Sequence, residues 1–202
     1  MSFARSFFAG LALSALVSFA VPSAAQAAEA LDTFQTRHSK VIQLVQEKAP
    51  NDKLQAEVDN LLDYHALAEA ALGGPLRHPG RCEPRCEEFE TLLAKLIREN
   101  YLKRIRTDKK YELTYVGEEK RPRNTRVTTT IKHVKDGKEE VVEVVYVMHK
   151  VGDDWKVIDI ITEGVSLAKN YKFEFNKILK DKGIDELIRR LDNKLTELAK
   201  KD

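Results

Sequence analysis

Few side chains in this sequence have the type and spacing that catalysis or metal binding requires. The five histidines, at positions 38, 65, 78, 133 and 149, are scattered without the spacing of a metal site. The sequence has no G-x-S-x-G elbow, no H-E-x-x-H pair, no phosphate-binding P-loop and no dinucleotide fingerprint. We therefore expect a protein that is not an enzyme and that holds neither a metal nor a cofactor.

Asp159 is the carboxylate best placed for chemistry, because apolar residues flank it. In an apolar pocket its pKa would be raised, and it could then act as a general base. A carboxylate in this setting more often accepts a hydrogen bond from a backbone amide or pairs with a basic side chain. We favour this second role. His38, on the apolar stripe of a helix, is likewise interpreted as a core residue.

The first 27 residues have the three parts of a secretory signal peptide. Arg5 gives a positive start, an apolar stretch covers residues 7–21, and small residues after Pro22 end at Ala27. The apolar stretch is shorter than the ~20 residues that span a bilayer, and an A-x-A cleavage site follows it. We expect cleavage after about Ala27, which leaves a mature domain of residues 28–202 outside the cytoplasm.

The charge balance of the chain argues against a nucleic-acid-binding protein. The 34 lysines and arginines face 32 acidic residues, for a net charge of +2. A nucleic-acid-binding protein would show a clear basic excess. No other stretch approaches the length of a transmembrane helix, so we expect a soluble mature protein.

Cys82 and Cys86 are the two cysteines of the chain. In an oxidising compartment a pair this close is interpreted first as a disulfide, with free thiols as the alternative. A zinc site would need two further ligands, and only His78 has useful spacing. Catalytic redox pairs usually have two intervening residues, whereas three separate these cysteines.

Hydropathy patterns place helices at both ends of the mature chain. Apolar residues recur there at the spacing of one helix face. An interruption is expected near Leu62-Asp63-Tyr64, a capping box between Asp52 and Gln55, and a helix stop at Gly183. The helices cover about residues 31–45, 54–72, 87–101, 166–180 and 184–198.

Between these helices, residues 111–162 follow the two-residue period of β-strands. Asp136-Gly137 predicts a tight hairpin, because such a turn needs positive φ. The run Val141–Met148 is apolar on both faces except at Glu143, so we expect this strand to be covered on both sides. The order predicts an α+β domain: a curled antiparallel sheet of about four strands, packed with helices from both ends of the chain and enclosing an apolar cavity.

The segments 63–73 and 159–187 carry motifs that resemble those of the MlaC family. Its members are the periplasmic phospholipid-binding proteins of the Mla pathway, and it is also called the toluene-tolerance auxiliary family. The segment 63–73 is similar to the family pattern D-(F/Y)-x-x-(I/M)-A-x-x-x-L-G. Where the family usually starts the next helix with T-P-x-Q-R, this chain has the segment 77–86, and a disulfide there could fix the helix start. The C-terminal matches are Asp159, Glu163-Gly164-Val165-Ser166, Asn170-Tyr171-Lys172 with Phe175, and Gly183-Ile184 with Leu187.

The resemblance implies a monomeric periplasmic carrier whose ligand is phospholipid. Members hold acyl chains in a deep apolar cavity between sheet and helices, with the head group near solvent. They move lipid between an outer-membrane lipoprotein complex and an inner-membrane ABC transporter with its substrate-presenting subunit. Each buried methylene contributes about 0.8 kcal/mol, so acyl chains bind without specific polar contacts. The residues expected to line the cavity are Leu93, Ile97, Tyr101, Val127, Thr129, Val144, Tyr146, Met148 and Val165.

Three other functions remain open on the sequence alone. The first is binding of a hopanoid or another apolar lipid, within the same superfamily. The second is an enzyme that uses Asp159 as base in a cone-shaped pocket. The third is a structural interaction protein of the cell envelope.

Overall fold

A computed structural model of the chain describes residues 29–76, 81–106 and 110–200. The predicted signal peptide and its cleavage site lie outside these ranges, as does His78. None of the described helices combines the length and the apolar character needed to cross a bilayer.

The described residues form an α+β fold, as the sequence predicts. The sheet is antiparallel throughout, and its five strands follow one another in chain order. It has one strand more than expected, the two-residue β5. The elements are α1 (Glu29–Gln46), α2 (Asn51–Leu61), α3 (Tyr64–Leu72), α4 (Cys86–Ile105), β1 (Tyr111–Lys120), β2 (Thr125–Lys135), β3 (Lys138–Val151), β4 (Asp154–Thr162), β5 (Val165–Ser166) and α5 (Leu167–Ala199).

Local backbone features shape the sheet. Asp136 and Gly137 have φ of 52° and 77°, which confirms the predicted tight hairpin between β2 and β3. The pairing shifts by one residue at Val116 in β1 and at Ile158 in β4. Such bulges increase twist and bend the strand that carries them, so the sheet curves.

The main core lies between the helices and one face of the sheet. Phe34 of α1 is fully buried, and its ring centroid lies 4.2 Å from that of Tyr146 on β3. Phe89 of α4 and Phe175 of α5 meet edge to face, with ring centroids 5.8 Å apart. The helices therefore form a layer over one side of the sheet, as expected for this fold class.

The expectation that Val141–Met148 is covered on both sides is wrong for the first half of this run. Val141 is 58% exposed, while the segment 146–148 is buried. Val147 lies opposite Asp159 in the β3–β4 ladder, and the carboxylate of Asp159 holds the first turn of α5. The first turn of α5 is thus bonded to β4 beside Val147, whereas Val141 lies near the other end of β3.

The helix boundaries follow the predicted interruptions but not the predicted cap. The chain leaves helical geometry at Leu62 and Asp63, and Gly183 interrupts α5 with φ 76°. The proposed Asp52–Gln55 capping box is wrong. The N-cap of α2 is Pro50, which cannot cap with its side chain, and Gln55 instead donates a 2.9 Å hydrogen bond to Glu99 of α4.

Cys82 and Cys86 are joined in a disulfide at the start of α4. Cys82 is fully buried. Cys86 is the first residue of α4, so the bridge ties the start of this helix to the preceding segment, at the corner where the sequence departs from the T-P-x-Q-R pattern.

Candidate functional site

An open apolar cleft lies at one end of the sheet, where β1 begins, β2 ends and β3 begins. The ladder pairs Leu113 with Ile131, and Ile131 with Val142, so their side chains share one face. Ile42 of α1 and Ile105 of α4 line the cleft from the helix side. All five side chains are only partly buried, so they leave apolar surface open to a ligand.

The cleft has two adjoining parts. The inner part has a volume of about 280 Å³ and reaches His38 and Tyr146. The outer part has a volume of about 1050 Å³ and extends to the turn between α1 and α2. Ligand pockets typically measure about 300–1,000 Å³, so the two parts together have room for a lipid-sized ligand. The residues that line both parts are Ile42, Ile105, Tyr111 and Leu113.

The floor of the inner part is aromatic and uncharged. His38 is 3% exposed, stacks on Phe34 with ring centroids 4.9 Å apart, and shares a 2.9 Å hydrogen bond between its Nδ1 and the hydroxyl of Tyr115. Burial lowers the pKa of His38 to about 4, so the ring is neutral at neutral pH. Burial also raises the pKa of Tyr146 and of Tyr101, so both phenols stay neutral. Such a floor suits an apolar chain better than an ion.

The Oη atom of Tyr101 is buried and has no hydrogen-bond partner among the described residues. A buried hydroxyl without a partner costs free energy, which a ligand oxygen or a water molecule could offset. Tyr101 lies beside the cleft floor, with its ring centroid 6.5 Å from that of His38.

Asp159 lies at the start of α5 and not in the wall of the cleft. Its Oδ1 accepts hydrogen bonds of 2.9 Å from the backbone N–H groups of Ile160 and Ala168. Its Oδ2 accepts a 2.6 Å hydrogen bond from the hydroxyl of Ser166, whose Oγ in turn caps α5 at Lys169. These contacts agree with the favoured role, in which Asp159 fixes the junction between β4 and α5.

The described part of the chain shows no cluster of three or more His, Cys, Asp or Glu side chains that could hold a metal ion. His149 shares a 2.8 Å contact with Asp63, and His65 lies beside glutamates on the surface. Each of these histidines therefore has a partner within the fold instead of a set of metal ligands.

The expected lining residues of β2 and β3 lie on the sheet face that looks toward the helices, and those of α4 lie on the helix side, but most of the set packs behind the cleft. Tyr146 forms part of the wall of the inner cleft. Thr129 pairs with Val144, and Val127 pairs with Tyr146, so these side chains continue the cleft surface inward. There they pack in the core. The expected lining residues that are buried in this way are Leu93, Ile97, Tyr101, Val127, Thr129, Val144 and Met148.

Val165 does not lie in the cleft and is 64% exposed. The ladder puts it opposite Thr162, which is opposite Val144, so it shares the expected face. It is exposed because β5 is a two-residue edge strand, and no further strand covers its outer side. The expectation that Val165 lines the cavity is therefore not supported by this arrangement.

The residues that the sequence did not single out are those at the open end of the sheet: Ile42, Ile105, Tyr111, Leu113, Ile131 and Val142. Leu113 and Ile131 stand in the alternating strand pattern, and Ile42 stands in a helical stripe. The same pattern marks any core residue. Cleft residues differ from core residues only in that the helices do not cover them. Where the helices stop covering the sheet depends on the tertiary structure.

The family model of the MlaC protein matches residues 26–193, which covers most of the chain. The chain belongs to the MlaC family. Among solved structures, the phospholipid-binding protein from Ralstonia solanacearum, in complex with a phospholipid, has a similar fold with a TM-score of 0.68. The two proteins are 22% identical, and the match covers 85% of this chain and 99% of that one. A search of curated proteins finds no match.

The residues that carry the resemblance to the MlaC family hold the frame around the cleft. Asp63 caps α3 at Ala66 and contacts His149 on β3. Gly73 ends α3 with φ 78°, a conformation that favours glycine. Together with Asp159 and Gly183, these residues fix helix ends, whereas the cleft itself is built from less distinctive apolar side chains.

Proposed function

We propose that this protein is a periplasmic lipid carrier that binds the acyl chains of a phospholipid in the cleft between α1, the end of α4 and strands β1–β3. The observation that carries this proposal is the partly buried apolar cleft, found in a member of the MlaC family whose structural relative from Ralstonia solanacearum was solved with a phospholipid. In this function the protein binds and releases lipid and catalyses no reaction.

The physical case rests on apolar area. Ile42, Leu113 and Val142 present aliphatic carbon to the cleft, and the floor at His38 and Tyr146 carries no charge. Each methylene that enters contributes about 0.8 kcal/mol, so a chain of ten or more carbons exceeds the cost of ordering it.

We further propose that the cleft extends inward when lipid is bound. The inner part ends at His38 and Tyr146, beyond which the expected lining residues are packed together. Acyl chains that separate α1 and α4 from the sheet would bring them into contact with the chain. Thr129 and Tyr101 are polar members of this set, and the unpartnered hydroxyl of Tyr101 would find a partner there. The set consists of Leu93, Ile97, Tyr101, Val127, Thr129, Val144 and Met148.

The proposed setting is the periplasm. The signal-peptide pattern of residues 1–27 and the MlaC family support export, with residues 28–202 forming one lipid-binding domain. The partners we propose are the outer-membrane lipoprotein complex and the inner-membrane ABC transporter with its substrate-presenting subunit. A monomer suits this role, because one carrier must contact each complex in turn.

The first experiment identifies the ligand. The mature protein is purified from the periplasm and extracted with organic solvent, and the extract is analysed by mass spectrometry. We expect phospholipid in near-equal molar amount to protein. Recovery of a hopanoid or another neutral lipid in its place would contradict the ligand class, and protein that takes up no lipid in native form would contradict the carrier function.

A matched pair of variants locates the ligand. Val142 lines the cleft, whereas its neighbour Val141 points to the opposite face and is exposed. Val142→Trp should fill the cleft and reduce lipid loading several-fold, while Val141→Trp should leave loading unchanged. Equal loading of the two variants, with the fold checked by circular dichroism, would contradict the proposed position.

A further inference from the structure

Four cationic side chains from three places in the fold line the cleft, and we call the region that they share the mouth of the cleft. Arg104 lines the inner part, and Lys48, Arg106 and Lys110 line the outer part. Arg104 is in the last turn of α4, and Arg106 is the first residue after this helix. Lys110 precedes β1, and Lys48 lies in the turn between α1 and α2. The fold thus brings four positive charges to one opening.

Among the residues that the structure describes, no acidic side chain balances the charges at this mouth. No Asp or Glu is among the described residues that line either part of the cleft. Within residues 29–76, 81–106 and 110–200, none of the four cations forms an ion pair with a carboxylate, whereas Arg37, Arg98 and Arg189 each do. The protein as a whole has a net charge of only +2, so this excess is local.

A neutral contact holds one of these cations in place. The guanidinium of Arg106 donates to the side-chain oxygen of Asn51 at the start of α2. Since an amide oxygen carries no net charge, this bond orients Arg106 across the cleft and leaves its positive charge available. A guanidinium can form two parallel hydrogen bonds with a phosphate group. Arg104 is a second guanidinium that lines the cleft.

We propose that these four cations bind the phosphate of a lipid head group, and that the carrier therefore favours phospholipids with a net negative head group. This inference rests on the proposed function. The apolar cleft receives the acyl chains, and the cationic mouth lies where the phosphate must then sit. A zwitterionic head group brings its own cation to the same mouth, where it is repelled, so its lipid binds less tightly. All four side chains are exposed, so each contributes modestly and is sensitive to salt.

The test is a competition between lipids that differ only in head group. Delipidated protein is incubated with vesicles of equal parts phosphatidylglycerol and phosphatidylethanolamine with identical acyl chains, then separated, and its bound lipids are quantified. We expect enrichment of phosphatidylglycerol by about threefold to tenfold, decreasing at high salt. Loading in the vesicle ratio would overturn the inference while leaving the carrier function intact. Absence of loading with either lipid would instead overturn the carrier function.

Charge-neutral variants assign the selectivity to the mouth. Arg104→Gln with Arg106→Gln should lose most of the enrichment yet still load lipid. Lys48→Gln with Lys110→Gln provides a second pair should the first fail to fold. The matched control replaces Lys95 and Lys103, exposed residues of α4 outside the cleft, by glutamine and so removes the same net charge. Equal loss of enrichment in the control and the mouth variants would overturn the assignment.

Two further ligands separate a lipid head group from free phosphate. Diacylglycerol with the same acyl chains lacks the phosphate, so it should compete poorly against phosphatidylglycerol with the unaltered protein and better with the Arg104→Gln, Arg106→Gln variant. Glycerol 3-phosphate lacks the chains and should not displace bound lipid. If glycerol 3-phosphate displaced bound lipid, the inference that the mouth binds the phosphate of a lipid would be wrong.

Discussion

His38→Gln should make the stability of the protein less sensitive to acid. His38 is buried at the floor of the cleft, and burial lowers its pKa to about 4 from an ordinary value of 6.5. The folded protein therefore keeps this ring neutral at a pH at which the unfolded chain protonates it. Between these two pKa values the unfolded state binds more protons, so the free energy of unfolding falls as the pH falls.

The size of the effect follows from the shift. One pKa unit corresponds to about 1.4 kcal/mol, so His38 lowers the free energy of unfolding by about 2 kcal/mol at pH 5 and by about 3 kcal/mol below pH 4. Above about pH 7 the contribution vanishes, because both states are then neutral. The groups around the ring are the neutral phenols of Tyr101, Tyr115 and Tyr146, and Arg104 and His133 line the same cleft.

The assay is urea unfolding followed by circular dichroism at about pH 7 and about pH 5, where most carboxylates are still ionised. Glutamine does not titrate, so His38→Gln should lose about 2 kcal/mol less than the unaltered protein between the two conditions. A lower stability of the variant at both pH values is expected from the lost stacking on Phe34 and does not affect this difference.

The control is His65→Gln, which makes the same substitution at an exposed histidine of α3 outside the cleft. If His38→Gln loses as much stability as the unaltered protein, the ring is not held neutral by burial. The description of the cleft floor as uncharged would then be wrong.

Three further substitutions or treatments probe the frame around the cleft. Asp159→Asn should lower the free energy of unfolding by about 2 kcal/mol, because it weakens the charge-assisted hydrogen bonds at the start of α5. Lipid loading should persist, and loss of loading in a variant with an intact fold would refute a purely structural role. Gly183→Ala should lower the free energy of unfolding, measured in urea, by about 1–3 kcal/mol, since φ 76° and ψ −178° favour glycine. The new methyl group meets no neighbour, so the backbone alone causes this loss. An unchanged urea midpoint would refute this expectation. Reduction of the Cys82–Cys86 bridge should cost about 2 kcal/mol because the closed loop is short, and equal stability with and without reductant would contradict a stabilising role.

Features fixed by local chemistry could be predicted from the sequence. Asp136-Gly137 specifies its turn because both residues accept positive φ, and Gly183 stops a helix for the same reason. The interruption at Asp63 is also local, since this side chain caps the next helix at Ala66. These turns and caps depend on neighbouring residues in the sequence, so they can be predicted without knowing how distant parts of the chain pack.

Features that depend on tertiary packing could not be predicted in the same way. Val141 and Val147 have the same side chain in the same strand, yet Val141 is exposed and Val147 is buried. Their burial depends on what packs over each end of the strand, and the strand pattern does not contain that information. Gln55 has a suitable position for a capping box, but Glu99 on another helix offers it a different partner.

The candidate site shows the same division. The alternating pattern identifies the face of the sheet that looks toward the helices, and Tyr146 belongs both to the expected set and to the cleft. The pattern does not show where α1 and α4 stop covering that face. Leu113 and Val142 are therefore cleft residues for a reason that lies in other elements, as are the cations Arg104 and Lys110.

The most direct test of the central claim is photo-crosslinking with a phospholipid that carries a diazirine near the end of one acyl chain. Bound lipid is activated by light, and the modified peptides are identified by mass spectrometry. We expect crosslinks on the segments around Ile42, Leu113 and Val142, and we expect them to disappear when excess unlabelled phospholipid is present. Crosslinks confined to the opposite face of the sheet around Val141, or crosslinks that unlabelled lipid does not displace, would contradict the account.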